Sequence, residues 1–247
     1  MFFAKPGKYK PCEIFSIDHL VLIIITIIGI IIALKNTLNK NKEQIRNIIK
    51  KCTIFIWILE IIIITFKIAT GGIKNLNNYV PLYYCSMLLY AGIFSSFCKG
   101  KLQRVGDVFL ATGGIIGGIV FLILPTTSLP TYPAFHMVSI HSFLFHGIMV
   151  YLGLLINKTN YIKIKATDIK YFSVLVLVIC IIALIINNIF ESNLMFISED
   201  FPGTPLTILY KITGPFFTLV MILGQMFLPF YAVYGILKLN ETIKRES

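Results

Sequence analysis

Cys85, His146 and Glu60 stand inside long apolar stretches, where a polar or ionisable side chain is costly and asks for a reason. Together they contain the parts of a nucleophilic site. A cysteine becomes a strong nucleophile once a neighbouring imidazole takes its proton, and a carboxylate or other acceptor holds that imidazole in the tautomer able to do so. The roles expected are Cys85 as nucleophile, His146 as base and then acid, and Glu60 or a tyrosine as the orienting group. A further histidine, His141, lies five residues before His146, about 140° around a helix at 3.6 residues per turn. The two rings face different directions, and spacing does not say which of them meets Cys85. By the same count His136, His141 and His146 form no i, i+4 pair, so no helical metal site is expected. Plainer readings stand beside the chemical one. Free cysteine is among the most buried residue types, so Cys85 also reads as packing, and the three groups as a polar cluster that pins helices together.

The elements that must position these groups are set by composition. Of 247 residues, 57% are hydrophobic and 13% charged, and mean hydropathy is +0.84. So apolar a chain takes lipid as the solvent of its fold. Seven apolar segments follow one another: Asp18 to Leu34, Cys52 to Phe66, Tyr79 to Phe97, Gly106 to Leu124, His136 to Ile156, Ile169 to Ile186 and Ile212 to Leu237. An all-α, polytopic fold of seven transmembrane helices in a single domain, residues 1–247, is therefore expected. Pro81 is expected in the first turn of the third helix, where its missing N–H costs nothing.

The net charge of +11 reports topology and does not imply nucleic-acid binding. Of the 22 Lys and Arg residues, six (Lys5, Lys8, Lys10, Lys67, Lys74 and Lys211) fall on the side of the N-terminus and sixteen on the other. That excess places the N-terminus outside and the C-terminus in the cytoplasm. The first segment lacks a small-x-small cleavage site and is read as a retained helix. The five cysteines show neither a CxxC nor another ligand spacing, and no disulfide framework is expected. Gly113, Gly114, Gly117 and Gly118 repeat a Gly-x-x-x-Gly pattern that lets helix backbones approach closely. The uncharged connection Pro125 to Phe135 suits a tight surface segment or a lip over a cavity, and the long one, Asn187 to Lys211, either a lid or a solvated link. The weight of Ile, Asn and Lys matches an AT-rich bacterial genome.

Topology also gives depth. At ~1.5 Å of rise per residue, Cys85 lies roughly 9 Å, His141 about 8 Å, His146 about 15 Å and Glu60 roughly 10 Å below the same outer surface. Three separate helices thus deliver their polar group to one half of the bilayer.

The run Val80-Pro81-Leu82-Tyr83-Tyr84-Cys85-Ser86, the Gly-rich helix ending in Leu124-Pro125, Tyr132-Pro133-Ala134-Phe135 leading to Phe145-His146-Gly147, and Asn193-Leu194-Met195-Phe196 before Pro202-Gly203-Thr204-Pro205 occur in consistent order. In this the chain resembles the YwaF family of bacterial integral membrane proteins, related to animal transmembrane protein 164. The resemblance implies a lipid acyltransferase or transacylase using an intramembrane cysteine and histidine, which fall by motif on Cys85 and His146. The chain departs from the family pattern at Tyr83, where many bacterial members have histidine, and at Asn193-Leu194, where Asn-Tyr is usual. His141, Tyr83, Tyr84, Ser142 and Asn193 are expected around the substrate, an acyl lipid, in a multi-pass protein of the cell membrane. No cofactor, metal or nucleic acid is expected, and the oligomeric state stays open. Two other functions fit the same residues: proton-coupled transport or solute binding through Glu60, His141 and His146, and a non-catalytic subunit of an envelope complex.

Overall fold

A computed structural model describes residues 1–71 and 76–246. Lys74 and the side chains of Lys244 and Arg245, counted above for charge, lie outside the described part. The described residues are helical, with no strand: α1 (Ile17–Thr37), α2 (Lys42–Gly71), α3 (Met87–Phe97), α4 (Gly100–Ala111), α5 (Gly113–Ile123), α6 (Met137–Lys158), α7 (Ile169–Phe190), α8 (Leu206–Thr213) and α9 (Phe217–Glu246). Six stretches are long and apolar enough to cross a membrane: α1, α2, α4 with α5, α6, α7, and α8 with α9; α3 is a shorter apolar helix.

The centre of the bundle is α4, α5 and α6, with α1, α2, α7 and α9 packed around them. The outer helices leave rows of large apolar side chains exposed, such as Ile24, Ile28 and Ile31 on α1 and Ile58, Ile61 and Ile62 on α2. Those rows suit acyl chains, and they define a multi-pass integral membrane protein. Since lipid is as apolar as leucine, close packing and internal hydrogen bonds hold the helices together. Phe109 of α4 stacks on Phe172 of α7 at 5.7 Å, and Phe172 meets Phe230 of α9 at 5.8 Å. Ser95 of α3 donates to the buried Asp107 carboxylate of α4 at 2.5 Å.

Three sequence boundaries move. The second helix, expected from Cys52 to Phe66, runs over Lys42–Gly71, because the lysines at its start lie on a helix reaching beyond the lipid-exposed rows. The fourth segment breaks at Thr112 (φ −126°, ψ −80°). There Thr112 turns its hydroxyl back on the Val108 carbonyl at 2.7 Å, just before Gly113 and Gly114. The third helix, expected from Tyr79, begins at Met87, and this change bears directly on the site.

Candidate functional site

Cys85 sits in the tight approach to α3 and not within the wall of a helix. Pro81 has no N–H and disfavours helical backbone at Val80 before it, so the chain from 79 to 86 remains a series of turns. The Tyr83 hydroxyl donates to the Asn77 carbonyl at 3.0 Å, and the Tyr90 hydroxyl to the Pro81 carbonyl at 3.1 Å, pinning both ends of the approach. Regular structure resumes as Leu88 N–H bonds the Cys85 carbonyl at 3.1 Å.

Helix α5 lies against both the Cys85 thiol and the His146 ring. The Cys85 thiol donates weakly to the Gly117 carbonyl at 3.8 Å. The Tyr84 ring lies against the same glycine, where an added Cβ would stand 3.1 Å from a ring carbon. One turn further, Phe121 stacks face to face on the His146 ring, centroids 3.6 Å apart and planes 8° from parallel. The neighbouring Gly118 brings α6 close: a Cβ there would come within 2.9 Å of the His146 carbonyl oxygen. The glycine pattern thus does two jobs, berthing Tyr84 and seating α6 against α5.

The hydrogen bonds of His146 fix its tautomer. Its Nδ1 lies 2.7 Å from the Ser142 carbonyl oxygen. A carbonyl only accepts, so Nδ1 carries the hydrogen, and in the neutral ring Nε2 holds the lone pair. Nε2 is buried and has no partner. An unpaired acceptor in such a place is what a general base requires.

Both groups line one cavity of about 820 Å³, and Glu60, His141, Ser142, Tyr83 and Tyr84 line it as well. Within it the expected pairing changes. The Glu60 carboxylate lies 3.4 Å from His141 Nε2, off the hydrogen-bonding direction, rather than beside His146. The orienting acceptor on His146 is the Ser142 carbonyl, which α6 supplies one turn earlier at no cost in buried charge. The Ser142 hydroxyl is turned to the Val138 carbonyl at 2.8 Å. Tyr84 points its unpaired hydroxyl towards Gly113, deep in the bundle.

Asn193, expected at the substrate, is absent from the cavity wall. Its side chain accepts from Ser198 N–H at 3.1 Å and donates to the Glu199 carbonyl at 3.0 Å, shaping the connection between α7 and α8. That connection lines the cavity through Met195, Phe196 and Phe201, and the uncharged connection lines it through Thr126, Thr127 and Thr131. Met195 and Phe196 both take left-handed backbone (φ 59° and 53°), a conformation that persists only when neighbours hold it. Gln225 of α9 does so, donating to the Met195 carbonyl at 3.0 Å.

Gln225 is a polar lining residue that the sequence reading missed. Its Oε1 is buried without a partner, and a glutamine in the middle of the last apolar segment was the signal. Pro229, also in the wall, has no N–H, so the Gln225 carbonyl loses its usual helical donor. Lys67 adds the one lysine of the cavity wall among the described residues. No group of three His, Cys, Asp or Glu side chains fit to hold a metal ion gathers among the described residues.

The fold and the site together define a multi-pass membrane protein with a thiol and a poised imidazole in an intramembrane cavity. The chain belongs to the TMEM164 family, whose sequence profile matches residues 14–234. No curated protein and no solved structure matches it.

Proposed function

We propose that the chain is a lipid acyltransferase or transacylase working through a thioester on Cys85. The observation that carries this reading is the His146 Nε2: a lone pair fixed by the Ser142 bond, buried, unpartnered, and in one cavity with the only thiol lining it among the described residues. The thiol turns from Gly117 and gives its proton to Nε2. The thiolate attacks the ester carbonyl carbon of an acyl lipid, the carbon–oxygen bond breaks, and the leaving oxygen takes the proton from Nε2. In the second half an acceptor hydroxyl gives its proton to Nε2 and attacks the thioester, and the sulfur leaves as thiolate and recovers that proton. The architecture that goes with this function has α3 as a seventh pass, the N-terminus outside, the lysine-rich end in the cytoplasm and the cell membrane of a bacterium as its location. The cavity then opens towards the outer leaflet, where acyl lipids are at hand.

The Glu60–His141 pair at 3.4 Å, close to Lys67 in the same cavity, favours a second reading, a proton or solute relay. One experiment separates the two. The purified chain is placed in vesicles of phospholipid carrying a labelled acyl chain, and label released from protein by hydroxylamine is counted. The acyltransferase reading expects label on the wild type and none on Cys85→Ala; label persisting on Cys85→Ala removes it. Flux blocked by Glu60→Gln and untouched by Cys85→Ala supports the relay.

A further inference from the structure

At the opposite, lysine-rich end of the bundle a second concavity of about 500 Å³ gathers Lys42, Arg104, Lys163, Lys165 and Lys170 around one carboxylate, Asp168. These side chains come from the start of α2, from α4 and from the α6–α7 connection, so folding and not sequence proximity assembles them. The frame is rigid. Arg104 pairs in bidentate fashion with Asp168 and also donates to the Lys163 carbonyl, and the Asp168 carboxylate accepts from Lys165 N–H at 2.8 Å. Asp168 is therefore consumed internally, and the remaining charge of the pocket is positive. Lys163 is shared with Glu241 at 3.7 Å. Among the described residues no carboxylate lies within ion-pair distance of Lys42, Lys165 or Lys170.

What adjoins the pocket decides the ligand. Lys170 opens α7, and from it a stripe of exposed apolar side chains runs down the helix at helical spacing: Val174, Val178, Ile181 and Ile185. A cationic cup at a membrane rim, continuous with an apolar track along a spanning helix, matches a phosphate joined to acyl chains. We propose that this pocket binds the phosphate headgroup of an anionic membrane lipid, with its chains lying along α7. The site is distinct from the thiol cavity and independent of its chemistry.

The test uses the full chain in detergent, titrated with dioleoyl phosphatidylglycerol or dioleoyl phosphatidylcholine and read by native mass spectrometry. Phosphatidylglycerol is retained at concentrations where phosphatidylcholine is lost. The double variant Lys165→Ala/Lys170→Ala weakens phosphatidylglycerol about twenty-five-fold, about fivefold per lysine, and leaves phosphatidylcholine unchanged. Lys35→Ala/Lys158→Ala, which removes two exposed lysines of the same rim outside the pocket, changes it less than twofold. Equal retention of the two lipids, an equal loss in the control pair, or full displacement of phosphatidylglycerol by millimolar inorganic phosphate overturns the proposal.

Discussion

Replacing His146 by Asn separates the base from the scaffold. The Asn amide nitrogen stands close to where Nδ1 stood, so the 2.7 Å bond to the Ser142 carbonyl is kept, while Nε2 disappears. The stacking on Phe121 is lost, which costs about 0.5–1.5 kcal/mol of stability on the scale of aromatic pairs. The loss in rate is larger: a positioned general base contributes about 10²–10⁴-fold, equivalent to about 3–5 kcal/mol of barrier at 1.36 kcal/mol per decade. The assay starts from a chain in which Cys12, Cys52, Cys98 and Cys180 are alanine, leaving Cys85 as the only thiol. Exposure to p-nitrophenyl octanoate gives a burst of nitrophenolate as the thiol is acylated, and the burst rate is compared at pH 7. His146→Asn is expected to slow it at least a hundredfold while unfolding within a few degrees of the parent. A rate within threefold of the parent, in a folded variant, refutes the assignment of His146 as base.

Glu60→Gln, by contrast, leaves that burst rate within threefold, because the carboxylate neighbours His141 and not His146; a hundredfold loss would restore Glu60 as the orienting group. Gly118→Val drives a side chain into the His146 carbonyl and Val150, and it should lower both unfolding stability, by about 1–3 kcal/mol as overpacking does, and the burst rate. Its check is denaturation in detergent alongside the burst assay. Asp168→Ala leaves Arg104, among the described residues, with the Lys163 carbonyl as its remaining hydrogen-bond partner. Since the guanidinium stays partly hydrated, the cost is expected at about 1–3 kcal/mol, seen as a lower unfolding midpoint with an unchanged burst rate.

The outline of the bundle was legible because a helix in lipid must be apolar along its whole length. Each of the seven expected segments holds helix, though α3 is short and α4–α5 is broken. The breaks were not legible from the apolar segments alone, since a single Thr112 and the polar residues of 79–86 do not interrupt an apolar segment; their local signals were Pro81 and the Thr112-Gly113-Gly114 run. Cys85, His141, His146 and Glu60 line one cavity, although the depth counted for Cys85 assumed a helix from Tyr79, and 79–86 is a series of turns to which that rise does not apply. Which carboxylate or carbonyl touches which ring was not legible, because rotation about a helix axis is set by packing, here by Gly118 against α6. Asn193 was drawn to the site by its place in a motif, whereas its side chain is spent on the backbone of its own connection. Gln225 could have been found by asking of amides what was asked of charges.

The most direct measurement is the tautomer of each histidine, read by solid-state ¹⁵N NMR of the histidine-labelled chain in bilayers at neutral pH. His19 and His136 accept backbone N–H bonds at Nδ1 and face the Leu122 and Ala4 carbonyls through Nε2, so both should carry hydrogen on Nε2. His146 should show the reverse: hydrogen on Nδ1 and a bare Nε2, in a signal that vanishes in His146→Asn. A His146 resonance protonated at Nε2 would leave that ring no free Nε2 to act as base in the cavity that holds the thiol and would contradict the account.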